Sequence, residues 1–174
     1  MTQHVHASHR IRLGLPPADC LRLFTPAGEE RWVEGWRPRY LPPGNGRTEA
    51  GMVFTTGAGA ELTIWCLTEF DADASLVRYA RVTPASRAGT VEVRCRPASG
   101  GGSDVQVTYR LAALSEAGVE DLRAYEAEAF ARMIDGWKQR IESMLPGAAG
   151  GADPLTRRPA KAAPARRGTR LFGP

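Results

Sequence analysis

Between Met52 and Leu114 the chain runs through five successive strand-like segments, MVFTT, ELTIWCLTEF, SLVRYARVT, TVEVRCR and DVQVTYRLAAL, before entering a stretch from Ser115 to Leu145 that contains no proline. Serial strands joined by short turns pair as an antiparallel meander, which needs a cover for its apolar face. In the last segment Val105, Val107, Tyr109 and Leu111 share one face and Gln106, Thr108 and Arg110 the other; Val91, Val93 and Cys95 repeat that alternation. ELTIWCLTEF is ambiguous, because Leu62, Ile64 and Cys66 compete with Trp65 and Leu67 for the inner face. The proline-free stretch supplies the cover. Ser115 can cap it, with Glu116, Glu120 and Asp121 near its positive end. At helical spacing Leu122, Tyr125, Ala129, Phe130, Met133, Ile134, Trp137, Ile141 and Met144 form one broad apolar stripe.

Upstream, Ile11, Leu13 and Leu15 alternate with Arg10 and Arg12 in a strand from Val5 to Leu15 that Pro16 and Pro17 terminate. ADCLRLF and AGEERWV then read as two short helices, and 36–51, with PPGNG at its centre, as a strand fragment plus loop. The expected architecture is α+β: a curved antiparallel sheet of about six or seven strands wrapped on a long C-terminal helix, with two short helices after strand 1. Residues 1–145 form this domain, and 146–174 are a Pro/Ala/Gly/Arg tail with too little apolar material to fold alone.

The formal charge of +4 belongs to that tail, where Arg157, Arg158, Lys161, Arg166, Arg167 and Arg170 face the single acid Asp153. The body is left close to neutral and offers no electrostatic footprint for nucleic acid; only 157–170 could contact it. Cys20, Cys66 and Cys95 are odd in number and lack metal-ligand spacing, which excludes a disulfide framework and fits a reducing, cytoplasmic setting. No apolar run is long enough for a membrane span, and MTQHVHASHR has no apolar core of a secretion signal. His4 and His6 could share a strand face but lack a third ligand, so no metal is assigned. No phosphate cradle, nucleophile elbow, zinc-protease or dinucleotide motif occurs, and no cofactor is expected. The sequence leaves monomer and homodimer both open.

The order of elements resembles the START-like or SRPBCC superfamily, the helix-grip fold of lipid-transfer, plant-allergen and polyketide-cyclase proteins. HRIRLGLPPADCLRLFTPAGEERWV is similar to its first strand and helix pair, DADASLVRYARVTP to its central hairpin, and VQVTYRLAALSEAG running into FARMIDGWKQRIE to its last strand and helix. The resemblance covers roughly residues 5 to 145. It implies a cavity between sheet and C-terminal helix that holds a small hydrophobic or aromatic molecule. By position it places Phe54, Trp65, Tyr79, Tyr109, Phe130, Met133, Ile134 and Trp137 in the cavity wall or in the core beside it. Glu126 falls in the middle of the helical stripe, so an inward carboxyl is expected there, as an acid–base group or ligand contact, or else paired with Arg123 or Arg81.

Three functions follow. The first is a carrier or sensor of a small apolar ligand, favoured because no acid, base and nucleophile converge. The second is a polyketide cyclase- or dehydrase-like enzyme in which Glu126 or Tyr109 assists proton transfer. The third is a co-chaperone-like protein interaction module with a filled core and an exposed apolar patch.

Overall fold

The computed structural model describes residues 3–146, so the expected tail lies outside the described residues beyond Pro146. In β1 (His4–Leu13) Ala7, Ile11 and Leu13 are buried while Arg10 and Arg12 are exposed, as the alternation requires. Pro17 opens α1 (Pro17–Leu23), with Asp19 in its first turn and Arg22 in its last, both matched to the helix dipole. α2 (Pro26–Glu29) is a single turn capped by Thr25, whose hydroxyl accepts from the Gly28 amide at 3.1 Å. The expected second helix therefore stops early. Beyond Glu29 the chain continues as turns, with the Val33 amide donating to the Glu29 carbonyl at 2.8 Å, and two side chains fasten it to what precedes: Trp32 Nε1 donates to the Leu23 carbonyl at 2.8 Å and Trp36 Nε1 to that of Pro26 at 2.9 Å.

β2 (Arg39–Tyr40), β3 (Val53–Thr56), β4 (Thr63–Asp71), β5 (Leu76–Thr83), β6 (Arg87–Pro97) and β7 (Ser103–Ala113) follow. They form one seven-stranded antiparallel sheet of order β1-β7-β6-β5-β4-β3-β2. The strands thus meander from β2 to β7, and β1 closes onto β7. The parity of β4 is settled by burial: Trp65 and Leu67 face the core, Leu62 and Ile64 are exposed, and Cys66 is half-buried on the outer face. Three aromatic rings on neighbouring strands, Phe54, Trp65 and Tyr79, pack together there, and that cluster outweighs two aliphatic side chains.

The C-terminal segment departs from the expected single helix. It forms α3 (Glu116–Asp121), a 3₁₀ turn over Leu122–Tyr125, and α4 (Ala127–Met144). Glu126 breaks it with an extended backbone (φ −69°, ψ 153°), and its carbonyl receives the first bond of α4 from the Phe130 amide at 2.8 Å. Helical angles counted from Ser115 lose their phase at that break. Glu126 is exposed rather than inward, and Arg123 pairs with Glu120 at 3.1 Å instead. Within α4 the stripe holds: Phe130, Ile134 and Ile141 are buried, and Met133, Trp137 and Met144 pack against the core. The helix lies mainly along β1, where His9 Nε2 meets Asp135 Oδ1 at 2.9 Å.

α3 is fixed at the β5–β6 turn. Ser115 caps it by accepting from the Gly118 amide at 3.0 Å and donates to the Ala85 carbonyl at 2.7 Å, while Asp121 receives bonds from Ser86 Oγ (2.5 Å) and Arg87 Nη1 (3.1 Å). The close approach depends on Gly118, since a Cβ there would sit 1.8 Å from the Ser86 carbonyl oxygen. Gly118→Ala should therefore destabilise the fold by about 1–3 kcal/mol, although alanine is the better helix former by ~1 kcal/mol. A urea midpoint equal to or above the wild type would show that α3 does not sit there. No helix among the described residues is long and apolar enough to cross a membrane.

Candidate ligand cavity

Between the inner face of the sheet and the segment following α2 lies a cavity of about 160 Å³. Every second residue of each strand points inward, so β3 contributes Phe54, β4 Trp65, β5 Tyr79 and Arg81, β6 Val91 and Val93, and β7 Tyr109. α4 contributes Trp137. The opposite wall is Pro26 and Glu29 of α2 with Trp32, Val33 and Trp36 beyond it.

The wall is a framework of rings. Phe54 and Trp65 stack in parallel with centroids 5.9 Å apart, and Trp36 meets both edge-on at 6.2 and 5.8 Å. Trp32 lies 5.5 Å from Trp137, which lies 6.5 Å from Tyr109. Three of the indole N–H groups are already bonded to protein, because Trp65 Nε1 donates to Thr56 Oγ1 at 2.9 Å just as Trp32 and Trp36 donate to carbonyls. The Tyr79 hydroxyl likewise donates to the Phe24 carbonyl at 2.8 Å. These side chains therefore present ring surface to the cavity.

Polarity comes from Glu29, Arg81 and Tyr109. Burial holds the Glu29 carboxyl well above the ordinary carboxylate range, which favours its neutral form. Burial also raises the Tyr109 hydroxyl; the Arg81 guanidinium acts in the opposite sense, and Tyr125 and Glu29 add to the rise. Tyr79 is pushed well up by burial and then by the nearby charge of Glu29. Arg81 is only 6% exposed; its guanidinium carbon stands 4.7 Å from the Trp65 ring centroid and Nη1 is 3.4 Å from the Tyr125 hydroxyl.

Of the residues expected from sequence, Phe54, Trp65, Tyr79, Tyr109 and Trp137 line this cavity, whereas Phe130, Met133, Ile134 and Glu126 do not. Phe130 and Ile134 are core, buried where α4 packs beside β1 and β7, and Met133 packs at the edge of that core. Only Trp137 reaches from the helix to the cavity wall. Sequence reading missed Glu29, Trp32, Trp36, Val91, Val93 and the role of Arg81. Arg81 was findable, since it shares inward parity with Tyr79 on β5. Glu29 was not, because a one-turn helix has no period to read.

No sequence-family model matches the chain, and no curated protein matches it. Solved structures do match it. Major latex-like protein 151 from Panax ginseng superposes with a TM-score of 0.61 at 11% identity, over 83% of this chain and 100% of that one. An uncharacterized protein from Rhizobium leguminosarum gives 0.60 at 14% identity, over 80% and 95%. Norcoclaurine synthase from Thalictrum flavum, in complex with dopamine and hydroxybenzaldehyde, gives 0.58 at 10% identity, over 80% and 87%. The chain has the α+β helix-grip fold of the START-like, Bet v1-type proteins.

Proposed function

We propose that the protein binds a small hydrophobic molecule carrying a single aromatic ring, as a carrier or sensor. The observation that carries this reading is the cavity itself, about 160 Å³ walled by ring surface from Trp32, Trp36, Phe54 and Trp65. Cavities of roughly 150 Å³ accept benzene, whereas drug-sized ligands occupy about 300–1,000 Å³. The norcoclaurine synthase complex, with two single-ring compounds, supports the same size class by analogy of fold.

Hydroxybenzaldehyde titrated into the protein should change the emission of the tryptophans that line the cavity, saturably and with one site. Val93→Phe, which places a ring in the cavity, should weaken that binding about tenfold or more while changing stability by less than about 3 kcal/mol. Unchanged affinity in Val93→Phe would place the ligand elsewhere and end this reading.

A cyclase- or dehydrase-like enzyme is the second reading. It rests on Glu29 and Tyr109, two titratable groups displaced upward in one apolar cavity. Glu126 drops out of it, being exposed and outside the cavity. A protein interaction module requires a filled core, and the cavity gives that reading no support.

A further inference from the structure

Among the described residues, the cavity holds a permanent cation without a counter-ion. Arginine stays protonated in proteins, and Arg81 is 6% exposed, with its Nε buried and unbonded. The ion pairs among the described residues include neither Arg81 nor Glu29. The other large inward cation of this sheet, Arg87, also has a buried and unbonded Nε, but it has carboxylate partners, Asp121 at 3.1 Å and Glu61 at 3.8 Å, and does not line the cavity. Arg81 has instead only neutral neighbours: the face of Trp65 at 4.7 Å, one long contact to the Tyr125 hydroxyl at 3.4 Å, and the hydroxyl of Tyr109 beside it. A buried charge left in this condition is costly, and removal of the charge by deprotonation is not open to a guanidinium. Glu29 could have neutralised it, yet desolvation holds that carboxyl toward its neutral form across the cavity.

We infer that the ligand is an aromatic carboxylate, its ring held between the indole and phenyl faces and its carboxylate paired with Arg81. This rests on the reading of the cavity as a site for a single aromatic ring. A carboxylate fits because its two oxygens match the guanidinium fork, and such charge-assisted bonds are strongest where water is excluded. Phosphate monoesters share the charge but are bulkier and doubly ionised against a single arginine. Because the indole N–H groups of Trp32, Trp36 and Trp65 are bonded elsewhere, Arg81 is the donor best placed to orient the ligand.

Benzoate and benzyl alcohol, close in size and differing in charge, separate the two ideas by calorimetric titration at pH 7. The wild type should bind benzoate about tenfold or more tightly than benzyl alcohol. Arg81→Met should lose that preference, its benzoate affinity falling to about its affinity for benzyl alcohol. Equal affinity of the wild type for both compounds would overturn anion recognition and leave the aromatic site standing; this comparison needs no variant to fold. A benzoate preference that persists in Arg81→Met would also overturn it. Binding of neither compound would remove both the inference and the reading beneath it.

Discussion

Phe130→Ala is expected to lower stability by about 3–5 kcal/mol, a fall in Tm on the order of 10 °C. Phe130 lies in the first full turn of α4, is 1% exposed, and sets its ring 5.3 Å from that of Tyr109. Tyr109 in turn stacks on Tyr125, with centroids 5.5 Å apart, in the 3₁₀ turn that precedes the break at Glu126. Truncation therefore removes a buried ring at the point where helix, turn and sheet meet, and close packing in the interior limits how far the hole can close. Met133→Ala, at a half-buried position three residues on, should cost markedly less. Thermal and urea unfolding of the two variants checks the ordering; if Met133→Ala proved the more damaging, α4 would have to be rotated from the orientation described.

Glu29→Gln is expected to change the pH dependence of stability in one direction only. Burial raises the Glu29 carboxyl from an ordinary value of 4.5, so across the window above 4.5 the native protein holds a proton that the unfolded chain has released. Stability due to this group is thus fully present below 4.5 and is lost as pH rises through the native value, with a slope of at most about 1.4 kcal/mol per pH unit. Glutamine cannot titrate, so the variant should lack this slope and gain on the wild type as pH rises from 4 toward 8. The ionisable groups that share the cavity wall with Glu29 are Tyr79 and Tyr109, both raised further from that window, and Arg81. Subtracting the two unfolding curves therefore isolates the one carboxyl. A difference that is flat, or that grows toward acid pH, would show that Glu29 is solvated and not part of the cavity wall.

The fold was legible wherever a period ran long enough to count. β1 and β7 each alternate over ten or more residues, and their buried faces match those marked by Ile11, Leu13, Val105 and Val107. Within α4 the same holds for Phe130, Ile134 and Ile141. Legibility failed at Glu126 because Ala124, Tyr125, Glu126 and Ala127 contain no glycine or proline to announce a break; the packing of Gly118 on Ser86, far away in sequence, is what anchors the preceding turn. The cavity was half legible for a related reason. Its sheet side follows strand parity, whereas its other side is a one-turn helix and a run of turns, and their positions are set by two indole hydrogen bonds that no local pattern encodes.

Those two bonds also make the cavity's walls unequal. Trp32 and Trp36 are at once lining and fasteners, so replacing either changes what the cavity admits and how its outer wall is held. Val91 and Val93 make no such side-chain bond; they line the sheet side of the cavity and pack in the core. A lineage adapting this protein to a larger or smaller ring could alter those valines one methyl at a time and leave the scaffold intact. The expected record of such adaptation is variation on β6 beneath an unchanging pair of tryptophans.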